Sequence, residues 1–243
     1  MTFTRLLGPA LDRAASRLPS LCAVCHGWGR QRVCAECILR FAAEVPRCRR
    51  CALRVAPGVA VCGACLLDPP PYARSVAALD YGHPWDGLIT QFKFHAALDL
   101  APALAARMLA ATGREAMTAD ALLVPIPLSD ARLRERGYNQ AWELAKRLAR
   151  ASRAQADATL LLRVRDTPHQ LALPPEQRAG NVHAAFIVEP GRRAALQGRR
   201  VTLVDDVMTT GATVAEAARM LLQAGAAEVG VWVVARTPRP EDR

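Results

Sequence analysis

After residue 74 the apolar residues follow two spacings, and the two alternate along the chain. Residues 75–81, 122–128, 201–204 and 229–235 are short runs with few polar interruptions. Such runs predict strands buried in a sheet, the second of them stopped by its prolines. Between them, residues 85–94, 98–111, 139–152 and 213–224 carry apolar side chains at helical intervals, as Trp142, Leu144, Ala145 and Leu148 do. Strands that alternate with helices predict an α/β fold, a parallel sheet flanked by helices.

The first 65 residues follow neither spacing. All eight cysteines lie there, as Cys22/Cys25, Cys34/Cys37, Cys48/Cys51 and Cys62/Cys65, with two residues inside each pair. A two-residue gap lets both sulfurs of a tight knuckle face one ion, and two knuckles complete the four-sulfur shell that Zn²⁺ prefers. Eight thiols suffice for two structural Zn²⁺ sites, and a single site with surplus or redox cysteines is the alternative. Pairing in sequence order and an interleaved pairing both fit the spacing. His26, beside Cys25, reads as a surface residue. A segment with so few core residues needs metal to fold. Three prolines at 69–71 predict an extended connection. The expected organisation is a Cys-rich zinc domain over 1–66, ordered from about residue 20, a linker over 67–74, and an α/β domain over 75–243.

Composition narrows the reading. At 243 residues and 51% hydrophobic, the chain can bury a substantial core, which excludes disorder as the default. The formal net charge of +10 suggests anionic partners, but only Lys93 and Lys146 among the 32 basic residues are lysines, a bias that genome base composition also produces. In residues 1–65 ten arginines face three acids, and two divalent ions with eight thiolates cancel most of that surplus. Arg47, Arg49 and Arg50 around Cys48 remain a local basic cluster, either for single-stranded nucleic acid or for a domain contact. Trp28 and Phe41 are the aromatics there that bases can stack on. The N-terminus lacks the apolar run and cleavage site of a secretory signal, and no stretch nears the ~18 apolar residues of a membrane span. A cytoplasmic location follows, where eight cysteines are metal ligands rather than disulfides.

The strand at 201–204 runs into Asp205 and Asp206, then Val207, Met208, Thr209, Thr210, Gly211, Ala212 and Thr213, where a helix opens. Free N–H groups at a helix N-terminus and threonine hydroxyls together can cradle a phosphate. Paired carboxylates just before them can accept from vicinal sugar hydroxyls or hold waters around Mg²⁺. The plainer alternative is a strand-to-helix turn with an aspartate cap. Against it, two adjacent acids at the end of a buried strand are costly without a ligand or partners, and open α/β sheets place their sites there.

Residues 201–213 resemble the 13-residue signature of type I phosphoribosyltransferases, with only Thr202 departing from the usual apolar choice. By that resemblance Asp205 and Asp206 contact the ribose hydroxyls of phosphoribosyl pyrophosphate (PRPP), and Thr209 to Thr213 bind its 5′-phosphate. Together with the four cysteine pairs, residues 124–128, 134–140, 167–170 and 178–181, and Phe186, the chain is similar over nearly its whole length to the ComF family, including its GntX-like members. The resemblance implies a type I phosphoribosyltransferase fold behind a double zinc ribbon, Mg²⁺ bound with PRPP, and an unknown acceptor. The family is associated with DNA uptake, which implies single-stranded DNA and proteins of the uptake machinery as partners, without membrane insertion.

Pro125, Ile126 and Pro127 take the place of the family's pyrophosphate loop, with Arg134 and Arg136 as candidate pyrophosphate contacts. Gln170, Arg178 and Asn181 are candidate contacts of a lid, and His169 beside them reads as polar surface. Residues 137–140 either cap the next helix or line the acceptor pocket. Lys93 falls where acceptor recognition is expected but reads as a plain helix-face lysine. Three functions fit: a transferase, a PRPP-binding accessory protein without turnover that handles single-stranded DNA, or a regulator for which PRPP or a nucleotide is an effector.

Overall fold

The computed structural model describes residues 19–113, 121–164 and 185–239. It divides into two units, Met1–Ala43 and Glu44–Arg243.

In the smaller unit β1 (Ser20–Leu21) pairs antiparallel with β2 (Trp28–Gly29), and α1 (Ala35–Phe41) follows. Cys22 and Cys25 sit in the turn between the strands, and Cys34 is the N-cap of α1. Among its described residues Cys22, Val33 and Cys37 are the buried apolar ones, gathered around sulfur, whereas Trp28 and Leu39 stand in solvent.

In the larger unit a short helix, α2 (Gly63–Leu67), precedes β3 (Arg74–Asp80) and α3 (Trp85–Phe94). A 3-10 turn leads into α4 (Ala101–Thr112), followed by β4 (Leu122–Pro125), α5 (Asp130–Arg136), α6 (Gln140–Ser152) and β5 (Gln155–Ala156). The hairpin of β6 (Leu161–Arg163) and β7 (Phe186–Val188) stands apart from the main sheet, and β8 (Arg200–Met208), α7 (Ala212–Gln223) and β9 (Glu228–Arg236) close the unit. The sheet has the order β3-β9-β8-β4-β5, parallel throughout. Inner strand β9 is buried at every position after Glu228, whereas edge strand β3 alternates buried with half-buried residues. That contrast follows from the covering of both faces at the centre of the sheet. No helix among the described residues is long and apolar enough to cross a membrane.

The expected strands and helices of the sheet are present, with two differences of consequence. The strand expected over 201–204 continues to Met208, because Val233, Ala235 and Arg236 of β9 extend the ladder beside it. Asp205 and Asp206 are therefore strand residues. The break between units also falls well before the proline segment expected to be a linker. Ala52 and Tyr72 are buried in the same apolar cluster as Leu203, Val214 and Leu221, so the second half of the cysteine region shares the core of the sheet. Around them the Ser75 amide donates to the Arg49 carbonyl at 2.8 Å and its hydroxyl to Arg50 at 2.6 Å. Arg47 and Arg54 both grip Asp80 at the end of β3, and Arg50 donates to the Tyr72 carbonyl. In the expected basic cluster, Arg47 and Arg50 thus make contacts within this unit.

Candidate functional site

The carboxyl end of β8 carries the site because its neighbour β4 stops at Pro125, leaving a crevice above the two strand ends. Asp206 is 1% exposed and Asp205 half-buried. The Asp206 amide donates to Asp205 Oδ1 at 2.9 Å. From α3, Lys93 brings its Nζ to 2.9 Å from Asp206 Oδ2, a buried oxygen with no directed hydrogen bond. Burial and the Asp206 charge push the Asp205 carboxyl well above its ordinary range. Burial acts the same way on Asp206, but the Lys93 ammonium outweighs it and holds that carboxyl low. Burial also disfavours the Lys93 charge, which the two carboxylates restore and strengthen. Without a ligand the centre is one ion pair beside one carboxyl that resists ionisation. A cation or a set of hydroxyl donors would relieve both.

After Met208 the backbone turns into α7. Gly211 caps the helix with φ +87°, a conformation that penalises any side chain, and a Cβ there would stand 3.3 Å from the Tyr72 hydroxyl. Thr210 Oγ1 accepts from the Ala212 amide at 3.3 Å. Tyr72 itself touches the Met208 sulfur at 3.9 Å, and burial pushes its hydroxyl up to about 12, so it stays neutral. The first turn of α7 offers N–H groups and a positive dipole end to an anion.

The facing wall of this cleft, about 200 Å³ in volume, is formed by Ile126, Pro127, Arg132, Arg136, Gln140 and Arg163. Of the two arginines expected to face pyrophosphate, Arg136 lines the cleft and Arg134 is exposed outside it. On α5, residues 132 and 136 share a face four positions apart, and residue 134 falls on another. Arg136 also lies over the Phe94 ring at 5.0 Å and donates to Gln140. Pro125 is buried at the end of β4, behind the lining. Asn139 caps α6 through the amides of Ala141 and Trp142 and donates to the Ile126 carbonyl at 3.0 Å, which ties this loop to the helix. Residues 137–140 therefore split their roles, with Asn139 as the cap and Gln140 in the wall. Lys93 departs most from the sequence reading, since it faces the carboxylates. Its rarity and its place one residue after the fully buried Phe92 were the available signals. Gln170, Arg178, Asn181 and His169 lie outside the described residues.

The cysteines form two groups in sequence order. Cys22, Cys25, Cys34 and Cys37 make one, and Cys48, Cys51, Cys62 and Cys65 the other, the sulfurs of each within 4.8 Å of one another. Individual Sγ separations are 3.9 Å for Cys22 to Cys37, 3.7 Å for Cys25 to Cys34 and 3.6 Å for Cys51 to Cys62. Tetrahedral zinc with bonds of ~2.3 Å requires sulfurs ~3.8 Å apart, so both groups fit it. His26, exposed at φ +58°, belongs to neither. Burial opposes ionisation of Cys22 and Cys48, yet backbone amides outweigh it and bring each to about 6. Burial and adjacent sulfurs push Cys37 up to about 12 and Cys65 upward too. A bound cation would deprotonate these remaining thiols.

Residues 118–243 match the phosphoribosyl transferase domain family. Over 228 residues the chain is 36% identical to the DNA utilization protein YhgH of Escherichia coli K12, covering 90% of this chain and 98% of that protein. It is 34% identical over 172 residues to competence protein F of Haemophilus influenzae, covering 69% and 74% of the two chains. Among solved structures, glutamine PRPP amidotransferase from Bacillus subtilis superposes with a TM-score of 0.38 at 22% identity, over 60% of this chain. The chain spans 30% of that enzyme's length.

Proposed function

Because the chain belongs to the ComF and YhgH family of proteins with a phosphoribosyltransferase domain, we propose that its cleft binds PRPP with Mg²⁺ and transfers the phosphoribosyl group to an acceptor. The observation that carries this reading is Asp206, a carboxylate buried at the end of an apolar strand and answered by a single ammonium group. Such a group is costly unless a ligand uses it.

In this reading Asp205 and Asp206 accept the ribose hydroxyls, and the turn from Thr209 to Thr213 takes the 5′-phosphate. Asp205 and Asp206 are the carboxylates in the cleft lining that would hold Mg²⁺ through its waters, and the ion would neutralise pyrophosphate charge. Arg136, with Arg132 on the same helix face, meets the leaving group. Lys93, released from Asp206 by the incoming hydroxyls, adds a third cation. The anomeric C–O bond to pyrophosphate breaks while a bond to an acceptor nitrogen or oxygen forms, and the enzyme stabilises the positive ribose ring and excludes water. Each cysteine quartet holds one structural Zn²⁺.

One observation favours a second reading, an accessory protein that handles single-stranded DNA. Trp28 is 77% exposed in the smaller unit, with Arg30 exposed two residues on, a surface suited to base stacking. The names of the relatives concern DNA use and competence.

Calorimetric titration of zinc-loaded protein with Mg²⁺ and PRPP tests the first reading, alongside pyrophosphate release with a panel of acceptors. Binding that vanishes when Asp205 and Asp206 are both changed to Asn, with the fold retained, supports the site. Tight binding without pyrophosphate release from any acceptor selects the accessory role. No binding overturns the PRPP reading.

A further inference from the structure

Arg236 ends β9, is 6% exposed, and takes no part in lining the cleft. Its guanidinium nevertheless joins the second cysteine quartet to the phosphate turn. Nε donates to the Cys51 carbonyl at 2.8 Å, while NH1 faces the carbonyls of Met208 at 3.0 Å, Thr237 at 2.9 Å, and Thr209. In a trans peptide the C=O and the following N–H lie in one plane and point in opposite directions. Holding the carbonyls of Met208 and Thr209 on the Arg236 side therefore aims the amides of Thr209 and Thr210 the other way. Those amides open the turn assigned to the 5′-phosphate.

The other end of the link is fixed by sulfur. Cys51 Sγ lies 3.6 Å from Cys62 Sγ, and the Ala52 and Cys62 amides fold back on the Cys48 carbonyl and sulfur. A second arm leaves the same knuckle, from Arg50 to the Tyr72 carbonyl, and the Tyr72 ring reaches Met208 and Gly211. Lysine at 236 would keep the charge but lose the planar fork that spans carbonyls on two sides.

We propose that metal held by Cys48, Cys51, Cys62 and Cys65 sets the affinity of the phosphate turn, with Arg236 as the positioning residue that transmits it. This rests on the PRPP reading of the turn and on zinc as the ion of the quartet. The quartet of Cys22, Cys25, Cys34 and Cys37 belongs to the other unit and supplies the control.

The test uses full-length, zinc-loaded protein and its Arg236→Lys, Arg236→Met, Cys62→Ser and Cys34→Ser variants. Hydrogen exchange of residues 208–213 and titration with Mg²⁺ and PRPP are measured beside metal content. Cys62→Ser should speed exchange in the turn and weaken PRPP about tenfold, and Cys34→Ser should change neither. Arg236→Met and Arg236→Lys should reproduce the Cys62→Ser losses with both zinc ions retained. Combined with Cys62→Ser, Arg236→Met should add less than twofold, because both changes cut one link. Equal effects from Cys34→Ser, losses that multiply in the double variant, or an unaltered turn in Arg236→Met overturn the proposal. If Cys62→Ser does not fold, Arg236→Met with two zinc ions decides alone. Failure of wild type to bind PRPP would sink the ligand reading, while turn exchange would still report whether the link exists.

Discussion

The two cysteine quartets share a motif and differ in what it is packed against. Each has two CxxC knuckles, separated by eight residues in the first and ten in the second. In each, the residue after the second cysteine of the first knuckle takes a left-handed turn, His26 at φ +58° and Ala52 at φ +57°. His26 is exposed, whereas Ala52 is fully buried in the core beneath the sheet. Among the described residues of the smaller unit, the first quartet supplies Cys22 and Cys37 beside buried Val33. The second is fastened to β3 by Arg47, Arg54 and Asp80 and to β9 by Arg236. A CxxC knuckle is thus a reusable part whose role is decided by the residues between and beyond its cysteines.

The largest expected effect comes from breaking one quartet at a time, if each holds the zinc proposed for it. Cys62→Ser should lower the stability of the larger unit by on the order of 5 kcal/mol, a fraction of the binding energy of structural zinc. In scanning calorimetry that is a fall of ~10–20 °C in its melting temperature. Cys34→Ser should leave this transition in place, and equal shifts from both would erase the distinction between the quartets. Next is Asp80→Ala, which leaves two guanidinium groups without their partner and should cost about 2 kcal/mol by urea denaturation. The same carboxylate predicts a pH dependence. Burial works against its ionisation, but Arg54 and Arg47 hold it below the ordinary carboxylate range. Its contribution is therefore full above pH ~4 and is lost as pH falls through its lowered value, a loss that Asp80→Asn should abolish.

Gly211→Ala should cost about 1–2 kcal/mol, since it meets a positive φ and the Tyr72 hydroxyl together, and it should weaken PRPP through the turn. The smallest effect is the sharpest comparison. His26→Gly relieves a left-handed residue without losing packing and should stabilise the smaller unit by about 0.5–1 kcal/mol. Ala52→Gly relieves the same geometry but removes a buried methyl group worth about as much, so it should be close to neutral.

The sheet and the turn that follows β8 were legible because they are local or periodic. Residues 85–94 have a helical spacing that burial of Leu88, Ile89 and Phe92 explains, and the acidic strand end stands out against its apolar neighbours. That Arg132 rather than Arg134 lines the cleft was also readable in principle, from helical phase once α5 is known. At seven residues, that helix is too short for its periodicity to declare it. The pairing of Lys93 with Asp206 was not legible, because the two lie more than a hundred residues apart and only the sheet brings them together. The same holds for the unit boundary. Proline and cysteine composition predict a break near residue 67, and the bond that crosses it, from Arg236 to Cys51, joins residues 185 apart.

That separation also fixes an order of events on the ribosome. β9, synthesised last of the five strands of the sheet, lies between β3, the first, and β8. At ~5–20 residues per second, the Cys51 knuckle emerges about 10–40 seconds before Arg236 does. The nascent chain thus presents four thiols to cellular zinc well before the sheet can close over them. A shortage of zinc during that interval would leave finished chains whose last strand arrives to find its anchor unformed.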